Sequence, residues 1–147
     1  MEPSLLKKLV EEVRRYQGKE FLKAAMAVCA LSAYADDDVS IVERYSIDYA
    51  LENEPSLRLF DKEKAIRILD DYIYDLRQEG VKAKEILSNK VKRIAGDHKK
   101  SRTLMRVAYL IINADREIRD GEVEEFMRLG KLLNLEPNQI WAHLSTK

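Results

Sequence analysis

Ala25-Met26-Ala27-Val28-Cys29-Ala30-Leu31-Ser32-Ala33-Tyr34-Ala35, followed at once by Asp36-Asp37-Asp38-Val39-Ser40-Ile41-Val42-Glu43, is the stretch whose reading settles the fold class. A helix apolar on every side is buried on every side, so the first part belongs at the centre of the molecule. The pattern returns 79 residues later. Arg106-Val107-Ala108-Tyr109-Leu110-Ile111-Ile112-Asn113-Ala114 is again nearly all apolar. Asp115-Arg116-Glu117-Ile118-Arg119-Asp120-Gly121-Glu122 then repeats the order acid, any residue, acid, β-branched residue, three of any kind, Glu. An amphipathic helix follows each motif, with Ile47 and Ala50 at the places taken by Phe126 and Leu129. This predicts two helix–acidic turn–helix units, about 19–53 and 101–134, forming an internal pseudo-twofold repeat in a single domain over 1–147.

Outward from these units the signals are all helical. No stretch alternates apolar and polar residues between turn signals, so strands are not expected. Ser4 precedes a first helix, and Gly18 separates it from a second over about Lys19–Ala35. Ser40 opens a third that stops before Glu54-Pro55. Asp61 caps a fourth, whose Ile66, Leu69, Ile73 and Leu76 form one apolar stripe. Gly80 and Gly96 are expected to close the fourth and fifth helices. Ser101 is read as the cap of a sixth, a seventh follows Asp120, and Pro137 begins a short eighth. The expected fold is a compact all-α domain of seven or eight helices, with Ala27, Cys29, Ala30 and Ala33 buried against Ala108, Ile111 and Ile112.

Composition excludes several function classes. Apolar residues make up 46% of the 147 residues and charged ones 35%, with 5 Gly and 3 Pro, which suits a helical globule and not a disordered chain. A lone cysteine, Cys29, cannot form a disulfide scaffold, and two histidines leave little for a zinc site. The apolar runs Ala24–Ala35 and Val107–Ala114 fall short of the ~20 residues a spanning helix needs. Met1-Glu2-Pro3-Ser4 lacks the basic start of a signal peptide, so a cytoplasmic protein is expected. Gly-rich phosphate loops, Gly-x-Ser-x-Gly and His-Glu-x-x-His do not occur, and an enzyme is not expected.

The zero net charge hides an asymmetry. Residues 1–75 carry 16 acids and 11 bases, whereas residues 76–147 carry 15 bases and 10 acids. Ten of those bases lie between Arg77 and Arg106. No Phe, Tyr or Trp accompanies them, so base stacking has no platform and nucleic acid is not an expected partner. A solvated basic helix surface is the plainer reading, and docking on an anionic surface the sharper one.

The acidic turns admit two readings. Acids at a helix C-terminus are disfavoured by the macrodipole and repel one another, so positive charge is expected nearby. Either Lys and Arg supply it, or a divalent cation with oxygen ligands does. Ser40 and Glu43 have the spacing of a capping box, which explains Glu43 without a ligand. In the second copy Arg119 stands at the matching place, Glu122 persists, and Asp120 is the candidate cap. An EF-hand is excluded by counting: the twelfth positions are Ile47 and Phe126, and the turn-glycine positions are Ile41 and Asp120.

Val13-Arg14-Arg15-Tyr16, Phe21, Ala27-Val28-Cys29-Ala30 and the Asp36–Glu43 motif resemble the tellurite-resistance TerB proteins. The resemblance resumes at Leu57-Arg58-Leu59-Phe60-Asp61 and Ile66, then from Arg106-Val107-Ala108 through Asp115 and Glu122, covering most of the chain. It implies a compact all-α fold with internal pseudo-symmetry and a non-enzymatic role in stress response. It also implies a cytoplasmic protein, peripheral to the inner membrane face, whose partners are other tellurite-resistance proteins. The implied metal ligands are Asp36, Asp38 and Glu43 in the first turn and Asp115, Glu117 and Glu122 in the second, with calcium or magnesium as the cation. The family usually has Gly directly after the first Asp. Here Asp37 and Arg116 occupy that place, and Arg116 and Arg119 are positioned to neutralise acids of the second turn. The competing expectation is a metal-free interaction domain that docks its basic 77–106 face on an anionic membrane or an acidic protein.

Overall fold

Helix α1 (Pro3–Ala33) runs unbroken through the computed structural model, which describes residues 3–35, 39–114 and 119–146. Among the described residues six more helices follow: α2 (Ile41–Asn53), α3 (Lys62–Glu79), α4 (Val81–Lys92), α5 (His98–Ile112), α6 (Asp120–Leu132) and α7 (Pro137–Ser145). The described residues contain helices and turns and no strand. The chain is therefore all-α, as expected.

The C-terminal half of α1 is the axis of the core. From Phe21 to Ala33 only Lys23 is exposed, and α2, α3, α4, α5 and α6 all pack against this helix. Ala24, Ala25, Ala27, Ala30 and Ala33 keep the surface of α1 low, so neighbouring backbones approach closely. Ala108, Ile111 and Ile112 of α5 are buried beside it, as the sequence predicts. The stripe on α3 is also inward: Leu69, Ile73 and Leu76 are buried and Ile66 is half-buried.

Three boundaries differ from expectation. Gly18 does not separate two helices but lies inside α1, because one glycine costs only about 1 kcal/mol in a helix with good formers on both sides. A Cβ there would meet the Phe60 ring at 3.7 Å, an ordinary contact. Gly18→Ala should accordingly stabilise the protein by about 0.5–1 kcal/mol, and urea unfolding of the single variant checks this. Ser101 does not cap α5. Asp97 does, its carboxylate accepting from Lys100 N at 3.0 Å, while the buried Ser101 hydroxyl donates to Ile94 O at 3.1 Å. Gly96 does not close α4, which ends at Lys92 and passes into a turn over 93–96.

Gly80 behaves as predicted. It is the C-cap of α3 and the N-cap of α4 at once, with φ +50°, so the two helices meet without an intervening loop. Pro137 opens α7 at its first position. Trp141 holds that helix down, its ring 4.9 Å edge-on from both Tyr109 of α5 and Phe126 of α6.

Candidate functional site

The helix boundaries recur with the spacing of the sequence repeat. Ala33 and Ile112 end α1 and α5, Ile41 and Asp120 begin α2 and α6, and Asn53 and Leu132 end them, each pair 79 residues apart. Glu43 and Glu122 are both the third residue of their helix, and Ile47 and Phe126 both the seventh. All four side chains are buried. So are Ala50 and Leu129.

A carboxylate is rarely buried, and these two are only 7% and 2% exposed. Their place in the first helical turn lowers the cost, because the N-terminal backbone N–H groups and the macrodipole favour negative charge. For Glu43 the partners are explicit. Ser40 N donates to Glu43 Oε1 at 3.0 Å and Glu43 N donates to Ser40 Oγ at 3.0 Å, completing the capping box. In the second copy Arg119 is the N-cap residue and Asp120 is the first helical residue, so Asp120 does not cap. Glu122 N donates to Arg119 O at 3.1 Å.

Asp36 and Asp38, like Asp115 and Glu117, lie outside the described residues, as do Asp37 and Arg116. Among the described residues no group of three or more His, Cys, Asp or Glu is placed to hold a metal ion. Described residues near the two motifs nevertheless line one cavity. A cavity of about 270 Å³ is lined by Tyr34 and Ala35, which lead into the first motif, and by Glu125, one turn beyond Glu122. Leu31, Leu76 and Val81 give it an apolar wall.

Glu125 is a buried carboxylate beside this cavity that the sequence reading missed. It is 5% exposed and is held by Arg128, whose Nε donates to Oε1, with Lys84 Nζ 3.7 Å from Oε2. Helical spacing is the signal that finds it: Glu125 lies three residues after Glu122 and four before Leu129, on the inward face.

The other titratable groups divide clearly. Burial pushes the Cys29 thiol up to about 12, so at neutral pH it is a protonated core side chain and not a nucleophile. The basic segment spreads over the end of α3, all of α4 and the first half of α5. Within it Lys84, Arg93, Lys100 and Arg106 stand near Glu125, Glu20, Asp97 and Glu54 respectively. No helix among the described residues is long and apolar enough to cross a membrane.

Fold and motifs together define an all-α domain built on a buried helix, with two acid-rich sequence motifs, one before α2 and one before α6. The family described as Tellurite resistance protein TerB matches residues 22–143, and the chain belongs to that family. A Tellurium resistance protein TerB from Alcaligenes sp is 32% identical over 65 residues, which cover 44% of this chain and 53% of that protein. The chain thus spans about half the length of this relative. No solved structure matches it.

Proposed function

We propose that this TerB-family chain is a non-enzymatic, cytoplasmic binding module whose acidic turns take up a hard divalent cation, calcium or magnesium. Asp36, Asp38 and Glu43 supply the oxygens of the first turn. Asp115, Glu117 and Glu122 supply those of the second, which binds more weakly because Arg116 and Arg119 stand within it. The two turns are related by the pseudo-twofold, and the cation tunes how the module engages other tellurite-resistance proteins at the inner membrane face.

The observation that carries this reading is the matched burial of Glu43 and Glu122 at the third position of helices that open directly after the two acidic motifs. A buried carboxylate on a helix is fixed in position, which is what an oxygen ligand requires. The cavity shared by Ala35 and Glu125 supports a common location for both motifs. The alternative, metal-free docking through the 77–106 face, is weakened by the acids that already stand beside four of its ten bases.

Thermal unfolding of chelator-treated protein in EDTA, Ca²⁺ or Mg²⁺ tests the reading. At a cation concentration 100-fold above the dissociation constant, a cation bound only to the folded form adds ~2.7 kcal/mol. The midpoint should rise in at least one cation, and Asp36→Asn, which removes one charge at nearly constant size, should shrink that rise. Identical midpoints in all three buffers would leave caps and salt bridges as the role of these acids.

A further inference from the structure

We propose that the groove between α5 and α7 is a binding site for a small organic anion, a carboxylate or phosphate head on an apolar body. No residue of the acidic turns lines it, so the proposal stands apart from the cation reading. The groove encloses about 370 Å³, within the range of small-molecule pockets. Both histidines of the chain reach it, His98 from the start of α5 and His143 from α7.

One wall is rich in nitrogen donors by helical geometry. His98, Arg102 and Arg106 fall at successive i, i+4 positions of α5 and so stack along one face of that helix. Arg106 is already engaged, its Nε donating to Glu54 Oε1 at 3.0 Å and its Nη2 to Thr103 Oγ1 at 3.2 Å. Arg102 is not: among the described residues its guanidinium makes no ion pair and no hydrogen bond. The same holds for the imidazoles of His98 and His143 and for the Gln139 amide. Glu136 is the one acid in the lining, and its carboxylate serves α7 as a cap, accepting from Asn138 N at 3.3 Å.

The remaining lining is apolar, from Leu135, Ile140 and Leu144. A fork of guanidinium donors recognises carboxylate or phosphate, and the apolar residues beside it accept a hydrocarbon or aromatic body. An inorganic ion would use the first feature alone and an uncharged hydrocarbon the second alone. The combination selects an organic anion.

Titration of isotope-labelled protein, followed by NMR with phenyl phosphate, inorganic phosphate and phenol as separate probes, tests this. Phenyl phosphate should saturably shift His98, Arg102, Gln139 and His143, and should bind about tenfold more tightly than inorganic phosphate through its apolar body. Arg102→Gln should weaken phenyl phosphate by about tenfold while the rest of the spectrum stays native, since the side chain is exposed. Three results would each overturn the proposal: no saturable shift, affinity unchanged in Arg102→Gln, or phenol binding as tightly as phenyl phosphate.

Discussion

Phe126→Ala should cost about 3–5 kcal/mol, the range for truncating a fully buried aromatic side chain. Phe126 is wholly buried on α6, with Tyr109 6.3 Å away and Trp141 4.9 Å away, both edge-on. Removing the ring takes apolar area out of the core and leaves a void that neither neighbour can fill, because each is anchored on a different helix. The loss should also be local in a visible way. Trp141 is the chain's single tryptophan and rests on Phe126, so its fluorescence should shift to the red in the variant as α7 loosens. Urea denaturation followed by this signal and by far-ultraviolet circular dichroism measures both effects. A cost below about 1 kcal/mol would mean that α6 is not packed as described.

Much of this architecture is legible without coordinates. The buried half of α1 declares itself because a helix apolar all round has no alternative to the centre, whereas α5 buries one apolar face, with Leu104, Val107, Ala108, Ile111 and Ile112, and leaves Arg102 and Arg106 exposed. The capping box at Ser40 and Glu43 is readable from a spacing of three, since its bonds are local. Gly18 misleads because propensity is a weak prior and the helical residues on either side outvote one glycine. Ser101 misleads for a related reason: Asp97, one turn earlier, has the same capping ability and takes the role.

The site was legible only in part. Glu43 and Glu122 follow from the repeated motif, yet nothing in a linear reading says that their carboxylates are buried. Glu125 was overlooked because a charged residue is by default exposed, and only its register with Leu129 argues otherwise. His98 and His143 stand far apart in sequence and look unrelated. They share a groove because α7 packs against α5 and α6, with Trp141 edge-on to Tyr109 and Phe126. Such convergence belongs to tertiary packing, which periodicity along one chain does not encode.

Arg128→Met should cost about 3 kcal/mol, and a second substitution, Glu125→Leu, should restore most of it. Glu125 is buried, and Arg128 joins it to Ser88 in one small network. Arg128 Nε donates to its carboxylate, Arg128 Nη1 donates to Ser88 Oγ at 2.8 Å, and Ser88 Oγ donates to Lys84 O at 2.7 Å. The network ties α6 to α4. Methionine keeps most of the apolar stem of Arg128 but removes the guanidinium, leaving the carboxylate to Lys84, a half-exposed ammonium 3.7 Å away. Breaking a buried pair on one side costs about 3–5 kcal/mol, and the lower end applies because the Arg128 side chain is 33% exposed and its charge partly hydrated. The pair itself is not ideal, since Arg128 Nη2 is buried without a hydrogen-bond acceptor among the described residues. Replacing both partners by apolar side chains therefore removes an imperfect ion pair and its desolvation cost together, and such exchanges are often neutral. Urea denaturation of wild type, single and double variants measures the cycle. If Arg128→Met alone unfolds at the wild-type midpoint, the cluster is worth no more than an exposed salt bridge, and Glu125 is not the buried anchor between α4 and α6 that the structure shows.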